Sequence, residues 1–182
     1  AEGTETASDM EISRKIEMPQ EIERTREIIT ELYVPMKGQV LDVGQSADEV
    51  FASKALGSGV AINPAEGMVC APCDGTISLL FPTKHAVGIT SETGVEVLIH
   101  IGINTVQLDG QGFEAFVSQG DKVKKGDKLI AADLDLIREK GMNPQTMMIL
   151  PEGGNLDVTV YPGGQADSGD LAVKVVKTVK TA

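Results

Sequence analysis

From Tyr33 onward the chain is cut into short apolar runs, and each run is closed by Gly, Pro, Asp or Asn. Such spacing leaves little room for long helices and suits strands joined by tight turns. The runs are Gln39–Val43, Gly59–Asn63, Gly67–Cys70, Thr76–Leu80, Ala86–Thr90, Val95–Ile101, Gly112–Val117, Lys128–Ala132, Thr146–Leu150, Leu156–Tyr161 and Leu171–Val176. One short helix is expected at Leu134–Lys140, stopped by Gly141 with Pro144 beyond. The fold class that follows is all-β, an antiparallel β-sandwich or barrel-like arrangement with one or two short helices. With 3% aromatic residues and no Trp, its core must be built from Val, Ile, Leu, Met and Ala.

The rest of the chain is sparser in signal. Residues 1–18 are small, polar and acidic and read as a flexible linker. Between Pro19 and Leu32 the pattern predicts a short helix, with Pro19 in its first turn and Ile22, Ile29 and Leu32 on a thin stripe. The expected division is therefore a linker over 1–31 and one domain over 32–182. The chain starts at Ala1 without a Met, as a piece of a longer protein would. A net charge of −11 speaks against nucleic acid, whose phosphates need a basic surface. It suits a basic partner, or simple solubility. No apolar run approaches the ~18 residues of a membrane span, and no signal peptide is evident in 1–31. Two cysteines three apart make no disulfide framework, so a reducing, cytoplasmic setting is expected.

Two internal echoes run through the β-rich part. Val34-Pro-Met-Lys-Gly-Gln-Val40 matches Ala71-Pro-Cys-Asp-Gly-Thr-Ile77, each placing a turn before a strand. Gly120-Asp121 and Gly126-Asp127, with Gly169-Asp170 as a looser copy, mark turns that precede apolar residues. Both favour a sandwich folded from related hairpin units over a solenoid.

Chemistry concentrates on the two histidines of the chain, His85 and His100. Val95, Val97, Ile99 and Ile101 alternate along a strand, which puts Glu96, Leu98 and His100 on its other face. Gly102 then lets the strand bend or another backbone come close. In an extended chain Phe81, Thr83 and His85 point the same way, bringing the Thr83 hydroxyl near an imidazole. A histidine on an apolar strand is ordinarily a satisfied core residue. Two of them, each with small residues nearby, point to a shared site, where imidazole serves as acid, base, metal ligand or nucleophile.

Other motifs carry less. Cys70-Ala-Pro-Cys73 has redox or zinc spacing, but with no second pair it reads as two small side chains flanking a turn. Pro35-Met36-Lys37-Gly38 is only faintly similar to the lysine turn of biotin and lipoyl carriers, and Lys37 reads as a solvated turn residue. In 44–59, Ser46 or Asp48 is placed to cap a short helix, with Val50, Phe51 and Leu56 either packed inside or forming an apolar rim. No serine-nucleophile or phosphate-cradling glycine motif occurs.

Taken together, Leu80-Phe-Pro-Thr-Lys-His-Ala-Val-Gly-Ile89 and Gly94-Val-Glu-Val-Leu-Ile-His-Ile-Gly-Ile-Asn-Thr-Val106 resemble the glucose-type enzyme IIA domain of the bacterial phosphoenolpyruvate-dependent sugar phosphotransferase system. Ser58–Ile62, Ala71–Ile77, Gly110–Phe113 and Gly120–Asp127 extend the resemblance, which runs from about Leu32 to Val176. It implies a β-sandwich with both histidines in a shallow depression. His100 corresponds to the phosphoacceptor, taking a phosphoryl group from the carrier protein HPr and passing it to a cysteine of the cognate enzyme IIB domain. His85 corresponds to the supporting histidine that stabilises the phosphate and is needed for onward transfer, and Thr83 to a residue hydrogen-bonded into the histidine network. Asp48, Val50, Phe51, Leu56, Phe81, Asn104 and Val106 fall at the docking rim. Asn104 departs from the family, which has Asp there, and the cysteine pair is no family feature. Residues 1–31 resemble the linker to a membrane permease (IIB and IIC) in fused transporters, so the chain itself needs no membrane insertion and sits at the cytoplasmic face. No cofactor or resident metal is implied; stray zinc between His85 and His100 is the one metal expectation.

Two other functions fit the same residues. One is a regulatory domain of this type on a sugar symporter, phosphorylated by HPr without onward transfer. The other is a zinc hydrolase of the lysostaphin type, which needs a further ligand beyond two histidines. The sugar is not readable, because specificity belongs to the permease.

Overall fold

The computed structural model describes residues 24–151 and 156–181. Its contacts separate a small unit, made among the described residues of 24–26 and 179–181, from a unit of 27–178. In the small unit the Thr181 hydroxyl donates to the Arg24 carbonyl at 3.0 Å. The larger unit holds the core and both histidines.

Among the described residues, fourteen strands and two short helices follow in order. The strands are β1 (Arg24–Tyr33), β2 (Gly38–Asp42), β3 (Ser58–Pro64), β4 (Met68–Cys70), β5 (Gly75–Leu80), β6 (Ala86–Ser91), β7 (Glu96–His100), β8 (Phe113–Ala115), β9 (Lys122–Val123), β10 (Lys128–Ala132), β11 (Thr146–Leu150), β12 (Leu156–Val160), β13 (Gly164–Ala166) and β14 (Leu171–Thr181). Helix α1 is Glu49–Ala52 and α2 is Leu134–Glu139, with 3-10 turns at Val43–Gln45 and Thr105–Leu108. An open eight-stranded sheet runs β13-β2-β3-β11-β7-β6-β5-β9, and two three-stranded sheets run β1-β14-β12 and β4-β10-β8. The ladders of the large sheet are antiparallel throughout. The sandwich expectation holds, while the sheet does not close into a barrel.

Each of the eleven apolar runs coincides with or overlaps a strand, although Val43, the end of the first run, begins a 3-10 turn. The helix expected over Pro19–Leu32 is not found where the chain is described: residues from Arg24 on form β1. Thr30 and Leu32 are buried while Glu27, Glu31 and their neighbours face water, a period-two pattern that the thin helical stripe concealed. β1 also runs through the expected boundary at Leu32. The N-terminal part of that helix and the expected linker over 1–18 lie outside the described residues. Helix α2 ends as expected, with Gly141 at φ 78° after its last turn.

The sequence echoes turn out to be structural repeats. Val34 and Asp170 are joined by an N–H to carbonyl bond of 2.7 Å, and Gly169 donates back to Val34 at 2.9 Å. Ala71 and Asp127 are joined in the same way at 2.8 Å, with Gly126 donating back at 2.9 Å. The two copies also trade bonds with each other: Tyr33 donates to the Pro72 carbonyl at 2.9 Å and Cys70 to the Pro35 carbonyl at 2.7 Å. In each Gly-Asp turn the aspartate carboxylate accepts the backbone N–H three residues earlier, from Ser118, Lys124 and Asp167. These turns prefer Asp because its side chain closes the loop it sits in.

Side chains divide by strand face. Val97, Ile99 and Ile101 enter the main aliphatic core with Met148 and Leu150. On the opposite face of the large sheet, Met147 and Ile149 join Val43, Phe51 and Ala61 in a second cluster beneath α1, with Leu98 packed against it. His100 belongs to that second face, one step beyond Leu98.

Candidate active site

His100 is the last residue of β7, paired across the ladders with Ala86 of β6 and Met147 of β11. It is held on both flanks by strands and so is rigidly placed. His85 directly precedes β6, and its carbonyl accepts the Ile101 N–H at 2.7 Å. The two rings meet edge to face, with centroids 5.0 Å apart and planes at 85°. Each ring has an aromatic wall: Phe51 lies 5.2 Å from His100, and Phe81 lies 5.3 Å from His85. Both phenyl groups displace water from the imidazoles.

The hydrogen bonds define which nitrogens are available. His100 Nδ1 lies 2.9 Å from the Gly102 carbonyl oxygen. A carbonyl only accepts, so Nδ1 carries the proton and the neutral ring keeps its lone pair on Nε2. His85 Nδ1 lies 2.6 Å from the Thr83 hydroxyl. The expected extended path from Phe81 to His85 is absent. Residues 82–84 form a turn closed by Lys84 N–H to the Phe81 carbonyl, with Lys84 at φ 58°. Thr83 reaches its neighbour's ring through this turn, not through strand alternation.

Electrostatics keep both rings neutral. Burial, reinforced by the neighbouring His100, pushes the His85 pKa down to about 4. His100 is also lowered by burial, opposed by its hydrogen bond to Gly102 and by the nearby Asp48 carboxylate. A neutral imidazole with an unprotonated Nε2 is a nucleophile at physiological pH.

The residues expected at the rim separate into two groups. Asp48 caps α1 through the Val50 N–H at 2.8 Å. Val50, Leu56 and Val106 are exposed, as is Asn104. Phe51 is not at the surface: it is 5% exposed and packs on His100. Phe81 is half-buried against His85. Asn104 adopts φ 62°, a left-handed conformation that Asn and Asp tolerate alike, so the residue found there meets the backbone's demand.

Several supporting residues carry no motif. Gln145 is buried; its side-chain oxygen accepts from the Ser46 hydroxyl at 2.8 Å and the Ala47 N–H at 2.9 Å, and its amide donates to Asn63 at 2.9 Å. It thereby fastens the loop that leads into α1 onto the sheet. The Asn143 carbonyl accepts from Ile103 N–H at 2.8 Å, fastening the segment after His100. Asn143-Pro-Gln145 follows a helix stop and reads in sequence only as a loop.

Residues 30–155 match the family model described as "phosphoenolpyruvate-dependent sugar phosphotransferase system, EIIA 1". The chain belongs to this enzyme IIA family. It is 50% identical over 119 residues to the glucose-specific EIIA component of Bacillus cereus, covering 65% of this chain and 72% of that protein. It is 42% identical over 155 residues to the glucose-specific EIICBA component of Staphylococcus saprophyticus, covering 85% of this chain and 23% of that protein. A glucoside-specific EIICBA component of Staphylococcus carnosus is 39% identical, over 83% of this chain and 22% of that protein. The chain thus spans about a fifth of the length of these fused relatives. In three dimensions the enzyme IIA domain matches the glucose permease IIA of Mycoplasma capricolum with a TM-score of 0.76 at 38% identity, over 81% of this chain and 96% of that one.

Other expectations fall around the enzyme IIA site. Among the described residues, no group of three or more His, Cys, Asp or Glu could hold a metal ion, and no helix is long and apolar enough to cross a membrane. Cys70, the last residue of β4, and Cys73, in the turn that follows, are both free thiols. Burial, with Asp74 and Glu92 nearby, pushes the Cys73 thiol up to about 12, so it stays protonated and unreactive. Lys37 is exposed, 3.9 Å from Glu66.

Proposed function

We propose that this domain is a phosphoryl carrier in sugar uptake, taking a phosphoryl group from phosphorylated HPr on His100 Nε2 and passing it to a cysteine of the cognate enzyme IIB domain. The observation that carries this reading is the bond from His100 Nδ1 to the Gly102 carbonyl, which leaves Nε2 as the free nucleophile beside a second, neutral imidazole. Phosphoryl transfer through a loose transition state needs in-line placement and charge stabilisation more than covalent machinery. As the Nε2–phosphorus bond forms, the donor's nitrogen–phosphorus bond breaks and positive charge builds on the His100 ring. The Gly102 carbonyl strengthens its hold on the Nδ1 proton at that moment.

His85 then works as a phosphate holder. Its Nδ1 lies 2.6 Å from the Thr83 hydroxyl; with that hydroxyl as the donor, the neutral ring carries its proton on Nε2 and can donate to a phosphoryl oxygen. Exposed Val50, Leu56 and Val106 on the flanking segments supply apolar contact for two partners in turn, with Asp48 and Asn104 as polar contacts. The acidic chain favours partners that present basic residues. Residues 32–182 would form the phosphotransfer domain and 1–31 the connection to a IIB and IIC permease, at the cytoplasmic face of the membrane. The fused relatives support that arrangement, and as glucose- and glucoside-specific components they favour glucose or a glucoside as the sugar.

The deciding experiment is intact mass after incubation with phosphoenolpyruvate, enzyme I and HPr. A gain of one acid-labile phosphoryl group, lost in His100→Ala, is expected. No gain under conditions where a known enzyme IIA domain reacts would overturn the reading.

A further inference from the structure

Thr105 follows His100 by five residues, is completely buried and lies outside every role assigned so far. Its hydroxyl donates to the Ile101 carbonyl. The N–H of that same residue, Ile101, donates to the His85 carbonyl at 2.7 Å. Between them lies the turn whose Gly102 carbonyl holds His100 Nδ1 at 2.9 Å. The turn is also conformationally tuned. Gly102 has φ 78° and Asn104 φ 62°, and a Cβ on Gly102 would collide with the Thr105 methyl carbon. Thr105 therefore closes a turn that only a glycine at 102 permits, and the shape of that turn aims the carbonyl at the ring.

We infer that Thr105 is a positioning residue for His100: by closing the Ile101–Thr105 turn through its hydroxyl, it keeps the Gly102 carbonyl on Nδ1 and so reserves Nε2 as the unprotonated nitrogen. This deepens the phosphoryl-carrier reading and rests on it for its purpose, but the tautomer is a property of the free protein. Without the hydroxyl, the buried Ile101 carbonyl has lost its partner, and a buried acceptor drives rearrangement toward a new one. The Gly102 carbonyl moves with it, and the His100 proton is then free to occupy Nε2, where it blocks attack.

The test is ¹⁵N NMR of the imidazoles in the full chain at neutral pH, for wild type, Thr105→Val and Thr105→Ser. Val keeps the shape and removes the hydroxyl; Ser keeps the hydroxyl. Wild type and Thr105→Ser should show His100 protonated on Nδ1. Thr105→Val should populate the Nε2–H form and accept phosphate from phosphorylated HPr roughly 10- to 100-fold more slowly, as expected for a misaligned nucleophile. A folded Thr105→Val that retains the Nδ1–H form overturns the inference. So does a wild-type His100 protonated on Nε2, or a Thr105→Ser that loses the Nδ1–H form, and these two results decide the matter even where Thr105→Val does not fold. A wild type with the Nδ1–H form that takes no phosphate would overturn the carrier function and leave the role of Thr105 in setting the tautomer standing.

Discussion

The N–H of Ile101 donates to the carbonyl of His85, so the residue that follows one histidine is hydrogen-bonded to the backbone of the other. The two imidazoles are therefore spaced by main chain, not by side-chain packing alone. Substituting one ring leaves the frame that holds its neighbour, and the histidine variants can be read as losses of chemistry.

Replacing His85 with Gln should leave phosphate acceptance by His100 measurable and stop delivery to enzyme IIB. Rapid-quench transfer of labelled phosphate from HPr, then to the IIB domain, separates the two steps. Normal delivery would remove His85 from the mechanism.

The pH response follows from the depressed pKa values. His85 takes up its proton at about pH 4 in the folded chain and near 6.5 when unfolded. Above 6.5 both states are neutral and the ring makes no pH-dependent contribution. As pH falls from 6.5 to 4 the unfolded chain binds the proton first, so stability drops across that window and levels below it. Chemical denaturation at several pH values should show this slope in wild type and a shallower one in His85→Gln. Phosphate acceptance should likewise persist below pH 6.5, because burial keeps His100 neutral there; a rate that halves at 6.5 would contradict the lowered value.

Phe51→Ala should cost about 3 kcal/mol, within the range for deleting a buried phenyl group, and should let the His100 pKa rise toward that of an exposed imidazole. Urea unfolding and an NMR titration of the ring measure the two effects. A loss of stability with the pKa unmoved would mean that Phe51 does not shield the ring.

Gln145→Ala removes the acceptor for Ser46 and Ala47 and should destabilise the domain by about 1–3 kcal/mol. Hydrogen exchange should quicken first in the loop before α1. Uniform exchange across the sheet would instead point to a general loss of stability.

Cys70→Ser with Cys73→Ser should leave the transfer rate unchanged, since the Cys73 thiol stays protonated. A large fall would return the pair to redox or metal chemistry.

Much of this site was legible in the residues. His85 and His100 stand in apolar runs bounded by turn residues, and alternation from Val95 to Ile101 put His100 on the correct face. The Gly-Asp and x-Pro-x-x-Gly echoes announced the duplicated turns. What escaped had physical reasons. β1 looked helical because its Glu and Arg residues favour helices, and only the sheet it joins makes it a strand. The two-residue β9 and three-residue β13 are too short to show a period. Phe51 could not be assigned inward or outward, since a four-residue helix has barely one turn over which a face can be read. Gln145 and Thr105 act through bonds to distant or backbone atoms, which leave no trace in spacing, although a threonine three residues after a bending glycine is a turn signal in hindsight.

The bonds traded between Tyr33 and Pro72, and between Cys70 and Pro35, reach into how the domain folds. Each repeat supplies a main-chain acceptor that the other needs, so neither can become ordered while its twin is a coil. With its ladders joining segments distant in the chain, folding should be slow and all-or-none, on a timescale of roughly milliseconds to seconds. A severed half would not be a smaller domain but an aggregation-prone chain with open strand edges.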